Sequence, residues 1–381
     1  MWLFFSKIMT GNPLKSIICF TAMIALATSF AMPSYAGGDL MLQPAVKSER
    51  ATTSLLLDVA NAGSRLVSVG ERGHIVYSED HGKSWIQADV PVSVTLTAVY
   101  FPNPEKGWAV GHEGVVLHTA NGGKNWVKQL DGFQANELDV SLYTGLVKDK
   151  ETVLEKAPEE MKETIGQELE DLRYQLEDLQ FEMEQGAWKP FLDVWFENNQ
   201  RGFVVGAFGY IFQTTDGGKT WQSIRNRIDN PDTYHLKCIA RTDGALIVAG
   251  EVGILYRSMD RGQSWQALAS PTDKSFFGLT ASAHVIAAVS FKGTVYLSKD
   301  LGESWQLLKT DIRSTLAEGT VLSDGSIAIV SYGGELLRIQ NGDIRISVQN
   351  LKCRGLVSVA EAEDGALVAV GMPGVHRTHM K

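Results

Sequence analysis

Cysteine is nearly missing from this chain, with three in 381 residues at Cys19, Cys238 and Cys353. That excludes a disulfide-built scaffold and every zinc-type cysteine spacing. Runs of positive charge are lacking as well: 35 Lys+Arg face 44 Asp+Glu, a formal net charge of −9, which disfavours nucleic acid as a partner. No phosphate-cradling glycine loop and no dinucleotide fingerprint occurs. His376 and His379 stand three apart on an expected strand and so face opposite sides, while His112 and His118 belong to a turn and a strand. No metal or other cofactor is expected. Long apolar runs are confined to the start. Lys7 and Lys15 flank the beginning of Ile17–Phe30, and Ser34-Tyr35-Ala36 follows as a small-x-small site. Residues 1–36 are therefore expected to be a secretory leader cut after Ala36, giving an exported, periplasmic protein over 37–381. A retained N-terminal anchor is the alternative.

Against these absences stands a repeat. Five copies of S/T-x-D-x-G-x-x-W, the Asp-box, occur at Ser78–Trp85, Thr119–Trp126, Thr214–Trp221, Ser258–Trp265 and Ser298–Trp305. Asp80, Asn121, Asp216, Asp260 and Asp300 can close the turn by accepting backbone N–H groups. Trp85, Trp126, Trp221, Trp265 and Trp305 then start the next strand and bury a large ring. A second feature lies upstream, a pair of small residues three apart. It appears at Gly70–Gly73, Gly111–Gly114, Gly206–Gly209, Gly250–Gly253, Ser290–Gly293, Ser331–Gly334 and Gly371–Gly374, seven copies in all. Each joins two apolar stretches as a hairpin turn.

Trp-to-Trp spacings are 41, 44 and 40 residues, with one of 95 between Trp126 and Trp221 that returns to 41 when residues 134–187 are set aside. Four strands per period of this length is a propeller blade. The expected fold is all-β, a seven-bladed β-propeller with a helical-hairpin insertion between blades 2 and 3. Cys238 and Cys353 then lie on opposite sides of the ring and are expected as buried free thiols. The seventh unit ends one strand short. The extended stretch Leu40–Val46 is expected to supply that outer strand, so that deleting residues 37–47 would lower the melting temperature sharply.

Residues 134–187 carry 15 acidic and 5 basic residues. Ile165, Leu169, Leu172, Leu176, Leu179 and Met183 alternate intervals of four and three, a helical seam ending near Gly186. Leu138–Glu155 is expected as an earlier helix, broken at Ala157-Pro158. The pair either packs on itself and the propeller wall or stands out as an arm that docks a partner. Chain topology puts the arm on the same face as the seven small-x-x-Gly turns and the Asp-boxes on the opposite face. Candidate partner-binding residues on the turns are Glu71, Arg72, His112, Glu113, Phe208, Glu251, Phe291, Lys292, Tyr332 and Met372. Asp-boxes also occur in sialidases, but an Asp that recurs at five turns is suited to structure, and no arginine triad accompanies it.

The run Val69–Tyr77 leading into an Asp-box, with Leu96–Phe101 and Gly107–Gly111, resembles the photosystem II stability/assembly factor family over roughly residues 50–378 outside the insertion. The resemblance implies an exported, seven-bladed, non-catalytic assembly factor that holds partner membrane proteins. Of the arginine-rich patch associated with phototroph members, Arg72 is the residue matched here. Relatives in non-photosynthetic proteobacteria look like envelope accessory proteins, often found with transporters of the resistance-nodulation-division class, and that setting is expected for this chain. The expectation is thus a monomeric scaffold, peripheral to the membrane, for a membrane protein complex or envelope transporter. A sialidase-type hydrolase and a small-ligand sensor or carrier are the alternatives.

Overall fold

A computed structural model describes residues 39–282, 285–340 and 345–380. The expected leader lies outside the described residues. The chain forms seven antiparallel sheets in sequence order, six of four strands and the last of three. In the first sheet the strands are Leu56–Ala62, Arg65–Gly70, Ile75–Ser78 and Ile86–Gln87. Each sheet meanders in chain order between neighbours.

The innermost strands are Leu56–Ala62, Leu96–Tyr100, Phe191–Phe196, Leu236–Thr242, Gly278–Ala281, Leu316–Val321 and Leu356–Glu361. Each touches the next, and the seventh touches the first. Second strands such as Gly107–Gly111 and Ala245–Gly250 are buried at every position, because both faces of each sheet are covered and no polar alternation is needed. Outer strands are short and solvated, as at Ile86–Gln87 and Gln266–Ala267, which blunts the free edges. The core consists of apolar layers between successive sheets. Trp108 of the second sheet stacks on Phe196 of the third at 3.6 Å. The Asp-box tryptophans lie edge-on to core rings, Trp126 to Phe101 and Trp221 to Phe196. Each such buried side chain stabilises by about 1.5–3 kcal/mol.

The expected closure by Leu40–Val46 is not what forms. That segment lies along the first sheet's exit: Ala45 N–H donates to Val90 O at 3.0 Å, Ser93 N–H to Leu40 O at 2.8 Å, and Lys47 Nζ to Ala88 O at 2.8 Å. Met41 is buried there beside Val90 and Val92. The seventh sheet keeps three strands, ending at Gly374–Thr378. The seventh and first sheets instead meet through side chains and through the connector before Leu56. Leu56, Val59, Leu66 and Val76 share one apolar layer with Ala360, Ala366, Val368 and Val370. Asn61 Nδ2 donates to Glu361 O at 3.0 Å and Arg377 Nε to His81 O at 2.9 Å.

The connector contact repeats around the molecule. A Cβ on Gly73 would lie 2.1 Å from Val92 O, on Gly253 2.0 Å from Thr272 O, on Gly293 2.0 Å from Ile312 O and on Gly334 2.2 Å from Cys353 O. Each of those carbonyls belongs to the connector entering the next sheet. On Gly374 it would lie 2.0 Å from Thr52 O, so residues ahead of the first sheet fill the place that inter-sheet connectors fill elsewhere. The fold needs no exchanged strand, because the repeated glycine–carbonyl contact already joins last to first.

Two helices stand between the second and third sheets in the chain, α1 (Gly132–Lys156) and α2 (Glu159–Glu184). α1 begins six residues before the expected Leu138. Asp131 caps it by accepting Gln134 N–H at 3.2 Å, and Gln134 Oε1 accepts Asp131 N–H in return at 3.2 Å, a capping box that sets the start. Pro158 forces the break and then serves as the boundary of α2. Among the described residues no helix is long and apolar enough to cross a membrane. Cys238 is buried and Cys353 half-buried, both as free thiols.

Candidate docking face

Six of the small-x-x-Gly turns share one backbone contact. The residue after the first small one donates its N–H to the carbonyl just before the innermost strand: Glu71 to Leu55 at 3.0 Å, His112 to Thr95 at 2.8 Å, Ala207 to Pro190 at 3.0 Å, Glu251 to His235 at 3.0 Å, Tyr332 to Thr315 at 3.0 Å and Met372 to Gly355 at 2.9 Å. The next residue enters the left-handed region at Arg72 (φ 56), Glu113 (φ 58), Phe208 (φ 56), Val252 (φ 46) and Lys292 (φ 54). Bulky residues rarely sit there. Five such residues in one turn series mark positions where the fold holds a side chain outward against a local cost of order 1–3 kcal/mol.

The nominated side chains divide into groups. Arg72, His112, Phe291, Lys292, Tyr332 and Met372 are exposed, with Met372 open at 70 % and Tyr332 at 47 %. Glu71 and Glu251 turn inward. Their carboxylates accept Leu55 N–H at 3.2 Å and His235 N–H at 3.1 Å, so they brace the turns. Glu113 is half-buried, and its carbonyl lies where Gly132 opens α1. Phe208 is half-covered by Trp188, ring centroids 4.7 Å apart, and by His235 at 4.6 Å. The hairpin therefore enters and leaves at the turns of the second and third sheets. Val252, exposed at the position equivalent to Arg72, had no charge or aromatic ring to flag it.

The root of the hairpin is locked by buried polar groups. Asn136 Nδ2 donates to Gly186 O at 3.1 Å, Tyr210 OH to Asn136 Oδ1, and Arg225 Nη1 lies 3.3 Å from Asp139 Oδ2. Lys189, 1 % exposed, pairs with Glu182 and sits 4.6 Å over the Tyr210 ring. Burial pushes the Asp139 carboxyl up despite Arg225, and pushes the Lys189 ammonium down despite Glu182. Farther out, the helices bind each other through Lys150–Glu168 at 2.7 Å and Arg173–Glu151 at 2.8 Å. The expected packing of the hairpin on itself and on the propeller wall thus holds for its seam and root, and its outer faces are open.

At the other end of the sheets, the Asp-box carboxylates are spent on their own turns. Asp260 Oδ1 accepts Ser258 OH at 2.8 Å, Gln263 N–H at 3.0 Å and Ser264 N–H at 2.9 Å, and Oδ2 accepts Ser264 OH at 2.6 Å. The Ser264 hydroxyl and N–H hold the Asp260 carboxyl at about 2. Asp80, Asp216 and Asp300 repeat this pattern. Asn121 departs from it in a consistent way: its Nδ2 donates to Asn125 Oδ1 at 2.8 Å, so the partner is an amide where the other boxes have a hydroxyl.

One group escaped the sequence reading. Asp58, Ala98, Asp193, Cys238, Gly278, Glu318 and Ser358 occupy the same place in the seven repeats, two residues past an apolar anchor such as Leu56 or Phe276. Asp58, Asp193, Glu318 and Ser358 line an axial cavity of about 370 Å³. Asp58 Oδ2 accepts Val99 N–H, and Oδ1 accepts Val59 N–H and Ser358 OH, each at 2.7 Å. Asp193 takes Val194 N–H and Ile239 N–H, each at 2.7 Å. Each aspartate thus fastens its own sheet to the next. Burial raises all three carboxyls, Asp193 to about 7 and Glu318 well above its usual range, and Glu318 hydrogen-bonds Asp58.

Comparison with solved structures shows a β-propeller. A structure of YCF48 bound to D1 peptide matches with a TM-score of 0.59 at 16 % identity, covering 87 % of this chain and 94 % of that one. YCF48 from Cyanidioschyzon merolae matches at 0.56 and 15 %, covering 88 % and 98 %. The WD40 propeller domain of Doa1 matches at 0.57 and 10 %, covering 88 % and 95 %. No curated protein matches the chain. The family model described as photosynthesis system II assembly factor YCF48 matches residues 43–141 and 170–370. The match reaches every one of the seven sheets, stops before the last strand of the seventh and omits the outer part of the hairpin, and on it the chain belongs to the YCF48 family of photosystem II assembly factors.

Proposed function

We propose that this chain is an exported, periplasmic, non-catalytic scaffold for a membrane protein complex, peripheral to the membrane and monomeric. The seven sheets are the blades of one closed propeller, and the helical hairpin is an insertion between blades 2 and 3. The observation that carries the reading is the exposed row Arg72, His112, Phe291, Lys292, Tyr332 and Met372 at the end of the sheets where the hairpin is rooted. Rigid strands hold these side chains apart from one another, so docking costs little ordering. Family membership supports an assembly role, and a relative's structure with a bound peptide supports a polypeptide ligand. The partner proposed is an envelope transporter of the resistance-nodulation-division class. The Asp-box carboxylates give no support to sialidase chemistry, because each is consumed by its turn. The axial cavity favours a second reading, a small-ligand carrier, which a thermal-shift screen would reveal.

Affinity capture from detergent-solubilised membranes with the full chain as bait tests the scaffold. An integral membrane protein should be recovered, and Arg72→Glu with Lys292→Glu and Tyr332→Ala should abolish its recovery. Lys83→Glu with Lys299→Glu, on Asp-box turns, should leave it intact. Recovery unaffected by the first set, or no membrane protein at all, refutes the reading.

A further inference from the structure

The hairpin leans over the third sheet without filling the space beneath it. A groove of about 720 Å³ remains between α2 and the loop over residues 225–233. Its floor is apolar, with Leu172, Leu179 and Ile228. Its rim carries Phe181, 64 % exposed, and Trp188, 42 % exposed. Tyr174, 62 % exposed, stands one heptad before Phe181 on the same helix face. Through Trp188 and Phe208 this aromatic row runs into the third turn of the docking face. Open aromatic rows bordered by polar groups are a mark of interaction sites.

Charge selects the occupant. Of the two arginines that line the groove, Arg225 is paired with Asp139 at 3.3 Å, and Arg227 is turned to the neutral acceptors Gln213 Oε1 at 3.2 Å and Gly262 O at 3.0 Å, leaving one cation against two carboxylates. Glu182 is paired with Lys189. Asp178 on one wall and Asp229 on the other are exposed, and neither forms an ion pair among the described residues. An acidic segment would meet Asp178, Asp229 and a strongly acidic hairpin. A basic segment would find two free carboxylates flanking an apolar floor. We infer that this groove docks a basic, amphipathic peptide segment of the partner, its apolar side on Phe181 and Ile228 and its Lys or Arg side chains on Asp178 and Asp229. This rests on the scaffold reading and locates a second contact beyond the turns. The family match breaks off over residues 142–169, so the outer hairpin is an addition to the common propeller.

The test is fluorescence anisotropy of a labelled helical Leu/Lys peptide with the full chain at physiological salt. The Leu/Lys probe should bind, and a Leu/Glu probe of equal length should bind at least roughly tenfold more weakly. Phe181→Ala, and Asp178→Lys with Asp229→Lys, should each weaken the Leu/Lys probe by about tenfold or more. All three side chains are exposed, so circular dichroism and melting should be unchanged. Glu155→Lys with Glu159→Lys makes the same charge change at the far end of the hairpin and should alter binding by less than about twofold. No binding, or equal weakening by the far-end variant, overturns the groove. If the groove fails while turn-dependent capture of a membrane protein persists, the scaffold reading stands without it.

Discussion

A Gly374→Ala variant should melt several degrees below the parent protein, whereas removing residues 39–46 should cost less. The alanine Cβ would lie 2.0 Å from Thr52 O, and Gly374 has φ +80, a conformation that resists any side chain. The atom that would have to yield is backbone, since Thr52 sits within the short helical turn Ala51–Thr53 that leads into the innermost strand from Leu56. Forcing the contact apart should cost roughly 2–4 kcal/mol, or about 3–6 °C for a chain of this length. The deletion uncovers Val90 and Val92 and removes buried Met41, about 1.5–3 kcal/mol of burial that is offset in part by the chain entropy regained when the segment is no longer ordered. Differential scanning calorimetry on both variants separates the two closures. A deletion more damaging than the glycine substitution would mean that the N-terminal segment is the clasp after all.

The second large effect concerns pH. Asp193 ionises at about 7 in the folded protein against an ordinary 3.8. The folded state therefore binds an extra proton between those values, so the contribution of this group to stability is full below about pH 4 and declines as pH rises to about 7. Asp58 and Glu318 tilt the same way. His74 and His118, pushed below 6.5 by burial, tilt the opposite way, since their neutral forms suit the fold above that pH. The difference between parent and Asp193→Asn isolates the carboxyl. Urea unfolding from pH 4.5 to 8 should show the parent losing, relative to the variant, on the order of a few kcal/mol. The Asn side chain offers one acceptor where Val194 N–H and Ile239 N–H now find two, which shifts the variant by a constant and takes away only this carboxyl's share of the slope. Parallel curves would show that Asp193 is ionised throughout and that the axial cavity is wet.

How legible the molecule is in its sequence follows from the range of each interaction. Turn chemistry is local, so the Asp-boxes and small-x-x-Gly turns show themselves within eight residues, and the count of seven sheets follows. The closure is not local. An extended segment such as Leu40–Val46 looks like a strand wherever it pairs, and a unit one strand short invites the wrong partner. The informative signal is the glycine of the seventh turn, whose equivalents in the first, fourth, fifth and sixth sheets each abut a carbonyl of the incoming connector. The start of α1 was readable from Asp131 and Gln134, and was passed over because the apolar seam begins later. Asp58, Asp193 and Glu318 stayed hidden because an inward strand position is presumed apolar, and only superposing the repeats puts them at one level. On the docking face, side-chain type alone could not tell Glu71 and Glu251, which brace their turns, from Arg72 and Lys292, which point outward.

The most direct test of the scaffold account is site-specific photo-crosslinking in the native envelope. A photoreactive residue at Phe291 or Tyr332 should yield adducts with one integral membrane protein, and the same residue at Lys83 or Lys299 on the Asp-box turns should yield none. Adducts to that protein from the Asp-box end, or from neither end, would contradict it.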